Sequence, residues 1–394
     1  MEYINHVYKS LIQQYPSWPE LKTYLTSAEG GSLHISDSKG QFCIIRNKAT
    51  NPNVEHTKWF RSTVWDTVAN RPVSVSPPKT CKEFPYKSCE EVMNAGLYCQ
   101  EFLDGFMINC FKYKGLDEVF ITSRSKLDAT GHFYSSKTFR ELFLDAYSVD
   151  RVPLQDALES PDFDRNELAI SYSFLVKHKE HRVVSTITEN RVFLVQKSVI
   201  MDDGSVHTTD ATDIPVLQMD TSLDFDTWFK QQCTSWEFQG VTLKDSNGNR
   251  WRFRNEDYMA VKSLRGNSAT QLERFVQLYL RNASQAYLYY FPEDSFTFIC
   301  NNVFMNMIHQ IVYDYYCRIH ITKVCTMNEV EPQYRRHIYS LHRHYVDVLR
   351  PLKEKIRHKD VVTYFAWIPW QVIAHLLRLM QDSYFSQMSE IVSQ

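Results

Sequence analysis

The chain has 394 residues, a formal net charge of -2, 43% hydrophobic and 23% charged residues, and only 11 Gly and 14 Pro. That balance is ordinary for a globular protein of one large or two smaller domains, and it excludes a long low-complexity tract or a globally basic chain. Nine cysteines without a C-x-x-C pair, no apolar run of membrane-spanning length and the polar start Met1-Glu2-Tyr3 lead to the expectation of a cytosolic-type protein with isolated thiols.

Residues 1–30 read as short helical pieces, with Tyr8, Leu11 and Ile12 on one face and a break at Pro16 and Pro19. From Ser32 the period drops to two. Strands are predicted over 41–46 and 62–66, then a turn, then a hairpin strand over 73–76 stopped by Pro77-Pro78. The stretch 98–113 reads as a hairpin: one strand, a tight turn at Asp104-Gly105, and a second strand through Met107, Ile108, Cys110 and Phe111. A strand over 119–124 and a helix over 137–147 follow, the helix with Phe139, Leu142, Phe143 and Ala146 on one side. Next come strands over 171–176 and 191–196, and a short helix over 225–232 capped by Asp224. A hairpin then joins 240–244 to 250–254 through a turn-rich segment. At Gly266 the character changes. A cap at Asn267-Ser268 starts a helix expected to reach about Tyr290, and the pattern stays helical over roughly 296–325, 331–358 and 370–390. The expected organisation is an α+β body over 1–266 with an antiparallel sheet core, followed by an all-α domain over 267–394.

The residues with chemical potential lie on the strand pieces. Glu101-Phe102-Leu103-Asp104-Gly105 enters the central turn, and Trp59 to Lys79 forms an upstream run of arginine, strand, turn, strand and lysine. Thr122-Ser123-Arg124-Ser125 follows, then the 173–184 segment with Phe174 and Arg182, then Glu237-Phe238-Gln239-Gly240-Val241, and last Trp251-Arg252-Phe253-Arg254 with Tyr258 and Lys262. In this order and spacing, 40–265 resembles the RNA ligase branch of the covalent nucleotidyltransferases, in particular phage-type ATP-dependent RNA ligases and RNA-ligase-like proteins of large DNA viruses. The resemblance implies a ligase adenylation-domain-like fold, with ATP and Mg²⁺ as cofactors and RNA or a nucleotide as partner. It also implies a nucleotide site at Asp104, Gly105, Arg124, Phe174, Gln239, Arg252 and Arg254. Asp104 would be the metal-facing carboxylate, and Phe174 the ring on which adenine stacks.

The departures from the family pattern fall on the chemistry. Phe102 stands where the family carries its nucleophilic lysine, Leu175 and Gln239 where it carries glutamates, and Arg252 and Arg254 where it carries lysines. Phenylalanine has no lone pair with which to attack phosphorus. Glutamine binds Mg²⁺ more weakly than a carboxylate, whereas arginine retains phosphate binding. Lys79 is a substitute nucleophile candidate, with Lys112, Lys114 and Lys244 as others. Local readings without a ligand stand beside these: Asp104-Gly105 as a plain turn, Phe174 as strand core, and the strand arginines in ion pairs.

In the helical part, Arg335, Arg336, Arg343, Lys353, Lys355 and Arg357 interleave with Tyr and His residues, opposite a stripe of Ile338, Leu341, Tyr345 and Leu349. Such a face is either simply solvated or contacts RNA through phosphates and bases. The leading expectation is an RNA-ligase-like pseudoenzyme that binds a nucleotide or RNA end. The alternatives are an active ligase with a displaced lysine, and a structural or scaffold protein of viral type with a relic fold. The expected location is the cytoplasm, or the host cytoplasm or virion if the protein is viral.

Overall fold

The computed structural model describes residues 1–47, 54–133, 135–148, 163–211, 213–268 and 270–392. The chain divides into two compact units, Met1–Lys262 and Ser263–Gln394. The first is α+β. It runs β1 (Glu2–Asn5), α1 (Val7–Gln14), α2 (Trp18–Thr26), β2 (His34–Lys39), β3 (Phe42–Arg46), β4 (Thr63–Asp66), β5 (Arg71–Ser74), α3 (Cys89–Asn94), β6 (Tyr98–Glu101), β7 (Phe106–Tyr113) and β8 (Val119–Ser123). It continues with α4 (Phe139–Ser148), β9 (Glu167–Lys177), β10 (Arg191–Met201), β11 (Val206–Asp210), α5 (Phe225–Gln232), β12 (Gly240–Lys244), β13 (Arg250–Arg254) and α6 (Glu256–Arg265), within which the division falls.

Three antiparallel sheets make up this unit: six strands in the order β1-β11-β10-β9-β7-β8, four in the order β2-β3-β4-β5, and three in the order β13-β12-β6. Period-two alternation decides what each face buries. On β7 and β9, Ile108 pairs with Phe174 and Met107 with Leu175. Ile108, Cys110, Phe174 and Val176 share a core with Phe143, Ala146 and Tyr147 of α4. The opposite face places Met107 and Leu175 with Leu103, Phe193, Val195 and Ile214. In the three-stranded sheet, Val241, Leu243 and Trp251 pack with Phe225 and Trp228 of α5. Asp224 caps α5, accepting a hydrogen bond from Thr227 N at 2.9 Å.

Two expectations for this unit are corrected. The 98–113 stretch is not a hairpin, because β6 and β7 belong to different sheets. Phe102 N donates to Gly240 O (2.8 Å), continuing the pairing of β6 with β12, and β7 pairs instead with β8 and β9. Gly105 makes the crossing at φ +156, where a Cβ would lie 2.5 Å from Val176 O. The amino terminus is also not wholly helical: β1 pairs with β11 (Tyr3 with Thr208) and forms the edge of the large sheet.

The second unit is helical among its described residues: α7 (Gln271–Leu280), α8 (Ser284–Tyr290), α9 (Ser295–Tyr316) with a π-helical extension Cys317–Ile321, α10 (Pro332–His344) with a π-helical extension Tyr345–Leu349, α11 (His358–Trp367) and α12 (Trp370–Val392). The first helix does not start at Asn267-Ser268. Thr270 caps it, its hydroxyl accepting from Glu273 N at 3.2 Å. Nor does it run on to Tyr290, because Asn282 takes a left-handed φ of +53 and divides α7 from α8. Arg265 and Asp294 form a buried ion pair at 2.9 Å. No helix among the described residues is long and apolar enough to cross a membrane.

Candidate functional site

A cavity of about 400 Å³ opens in the first unit, within the range typical of small-ligand sites. Its walls come from β6, β7, β12 and β13, from the segments flanking β4, β5 and β8, and from Lys262 on α6. Pairing places Gln100 opposite Thr242, Thr242 opposite Arg252, Gly240 opposite Arg254 and Lys244 opposite Arg250. Residues directly opposite in an antiparallel pair share a face, so Arg250, Arg252 and Arg254 all stand on the cavity side while Trp251 joins the core behind.

The electrostatics are one-sided. Seven cationic side chains line the cavity, Arg61, Arg124, Lys244, Arg250, Arg252, Arg254 and Lys262, against two carboxylates, Glu101 and Asp104. Of the seven, Lys244 alone forms an ion pair among the described residues, with Asp210 at 2.7 Å, both side chains being buried. Burial comes first and the neighbouring arginines 250, 124, 252 and 254 second in pulling Arg61 down to about 9. Burial with the charges of Arg254 and Arg250 also lowers Arg252, and burial lowers Lys244 to about 8 despite Asp210. Burial raises the Glu101 carboxyl, with Lys177 opposing. Arg250 Nε and Arg254 Nε are buried without a partner among the described residues.

Two features complete the site. Leu103, Met107, Leu175, Val195 and Ile214 provide an apolar wall. A hydrogen-bond chain fixes the opposite rim: Ser62 Oγ donates to Arg124 O (3.3 Å), Ser76 Oγ to Ser62 O (3.4 Å), Asn109 Nδ2 to Ser76 Oγ (2.7 Å), and Ser173 Oγ to Asn109 Oδ1 (2.9 Å).

The residues singled out from the sequence separate clearly. Phe102, Asp104, Gly105, Arg124, Gln239, Arg252 and Arg254 all line the cavity. The Phe102 ring lies beneath two guanidinium groups, with Arg252 Cζ at 5.4 Å and Arg254 Cζ at 5.8 Å from its centroid, within cation–π range. Phe174 is a correction. It is 3% exposed and packs against Phe143 and Tyr147 on the far face of the sheet, because strand parity turns Leu175 to the cavity in its place. Asp104 lines the cavity with both oxygens already engaged: Oδ2 accepts from Val184 N (2.8 Å) and Ser185 N (3.0 Å), and Oδ1 from the Tyr258 hydroxyl (2.8 Å). Its work is to pin the 184–185 loop and α6 to the turn.

Lys79 does not line the cavity; burial and the charges of Arg124 and Arg61 lower its pKa. Lys114 donates outward to Asp164 O and Arg165 O. In the helical unit, Arg336, Arg343, Lys353, Lys355 and Arg357 are exposed, while Arg335 is half-buried and bonds Val330 O at 2.7 Å. Arg250 and, apart from Leu175, the apolar wall were not singled out from the sequence, whereas Arg61 is the arginine that heads the 59–79 run. The alternation Arg250-Trp251-Arg252-Phe253-Arg254 carries the signal for Arg250. Neither a protein-family model nor a curated protein matches this chain.

Proposed function

We propose that the protein is an RNA-ligase-like member of the nucleotidyltransferase fold that binds a nucleotide or RNA end and has lost nucleotidyl transfer through its turn residue. The observation that carries this reading is the cavity itself, with six cationic side chains lacking an ion pair among the described residues, an apolar wall, and on its lining Phe102, the position that the resemblance gives to the nucleophile. Uncompensated guanidinium groups held close together repel one another, and a phosphate-bearing ligand relieves that repulsion while forming bidentate hydrogen bonds. The apolar wall suits a base or sugar face. Phe102 offers no nucleophile and Gln239 no charge for a metal, which supports binding without transfer. The exposed basic residues 336, 343, 353, 355 and 357 support an RNA contact on the helical unit.

The test is incubation with α-labelled ATP and GTP, with Mg²⁺ or Mn²⁺, alongside RNA and nucleotide binding at low salt. Binding without label surviving a denaturing gel is expected. Absence of any binding would overturn the reading. One observation favours a second reading, an active ligase with a displaced nucleophile: Lys244 lines the cavity with its pKa pulled to about 8. Its ammonium is engaged by Asp210 at 2.7 Å, and label mapped to Lys244 itself by peptide mass spectrometry would establish that reading instead.

A further inference from the structure

We propose that the cavity takes the triphosphate of a nucleoside, free or as an RNA 5′ end, directly on its arginine side chains and without a bridging divalent cation. This rests on the reading of the site as a nucleotide pocket and goes beyond it by naming the ligand's phosphate chain and its metal independence.

Three observations converge. Arg250, Arg252 and Arg254 stand at alternate positions of β13, roughly 6–7 Å apart along the strand. Arg61 and Arg124 line the same cavity. A chain of linked phosphates can engage more of these groups than a single phosphate can, because each added phosphate extends the ligand further along the strand. Second, the wall holds no carboxylate suited to a hard divalent ion. Asp104 has both oxygens hydrogen-bonded, Glu101 is pushed by burial toward its neutral form, and Gln239 is uncharged. A cation carried in with the nucleotide would lower the ligand's negative charge and enter a field that is already strongly positive. Third, Gln100 is 1% exposed and lines the cavity, and its Nε2 has no partner among the described residues. It is a buried donor available to a ligand oxygen. Phe106 and Phe139 line the cavity together with the aliphatic wall, and apolar surface of this kind carries no hydrogen-bond code, so discrimination between bases should be slight.

Calorimetric titration of the full chain tests this, using ATP, GTP, AMP and inorganic triphosphate, each in EDTA and in excess Mg²⁺. Expected are binding of ATP, GTP and triphosphate in EDTA, affinity for AMP lower by about tenfold or more, and weaker ATP binding when Mg²⁺ is added. Arg252→Ala should reduce ATP affinity by about tenfold with little change for AMP, and Arg252→Lys should retain more affinity than alanine. Circular dichroism confirms that both variants fold.

Binding that requires Mg²⁺, or equal affinity for AMP and ATP, would overturn the inference while leaving a nucleotide site. No binding of any nucleotide would overturn both. RNA oligonucleotides ending in a 5′-triphosphate or a 5′-hydroxyl separate the sources. A preference for the triphosphate end supports the inference and names the RNA terminus; equal RNA affinities beside ATP binding support it and name the free nucleotide.

Discussion

Phe102 has two guanidinium groups at 5.4 and 5.8 Å from its ring centroid in a cavity already crowded with positive charge. Phe102→Lys alone is therefore expected to leave α-labelled ATP unattached to the protein, since Leu175 and Gln239 still stand on the wall. It should also lower the melting temperature, by adding a cation beside Arg252 and Arg254. A labelled band from that variant would mean that the lysine is the only missing part. Lys244→Met is expected to destabilise the first unit by about 3–5 kcal/mol in urea unfolding, because it strands Asp210, whose Oδ2 already lacks a partner among the described residues. Adding Asp210→Asn should recover part of the loss. At this scale the sequence brought out Phe102, Gln239, Arg252 and Arg254, each in a short local run, and all four line one cavity. The identity of the apolar wall was not legible there. Whether Phe174 or Leu175 meets the ligand depends on strand parity, and a shift of one residue exchanges the faces.

Among the elements, those with a local cause were legible. The helix Phe225–Gln232 has its cap in Asp224, and β12 and β13 pair across a turn-rich segment. The failures were long-range. Asp104-Gly105 has the chemistry of a hairpin turn, yet the chain uses it to cross between sheets, because β6 finds β12 well over a hundred residues later in sequence. Only tertiary pairing could reveal that. In the helical unit, Thr270 rather than Asn267-Ser268 caps α7. Thr270→Ala is expected to cost about 1 kcal/mol, read as a lower denaturant midpoint, while Ser268→Ala should leave that cap intact. A smaller effect at Thr270 than at Ser268 would contradict the assignment.

Taken whole, the molecule carries a net charge of -2, yet seven of its 44 Lys and Arg side chains meet on one cavity with only two carboxylates, so composition concealed what folding assembles. The second unit carries its own pH dependence. His309 and His337 are each 1% exposed, and burial brings both down to about 4, aided by the charges of His358 and Arg336 respectively. In the unfolded chain they take up protons near their ordinary value of about 6.5. Stability from these groups is therefore complete above about 6.5 and falls as pH drops toward 4. Thermal unfolding should show a lower transition at pH about 5 than at about 7.5, and His309→Gln with His337→Gln should flatten that difference.

The arginine-bearing strand has a consequence for the behaviour of many molecules together. β13 ends its sheet, and an unpaired strand edge invites another chain to add to it. Beyond Arg250, whose carbonyl accepts from Cys81 N, mutual repulsion between Arg252 and Arg254 of one molecule and those of the next opposes such pairing. Neutralising both arginines should thus promote aggregation as well as weaken ligand binding, and Arg→Lys changes are the substitutions that keep the two effects apart.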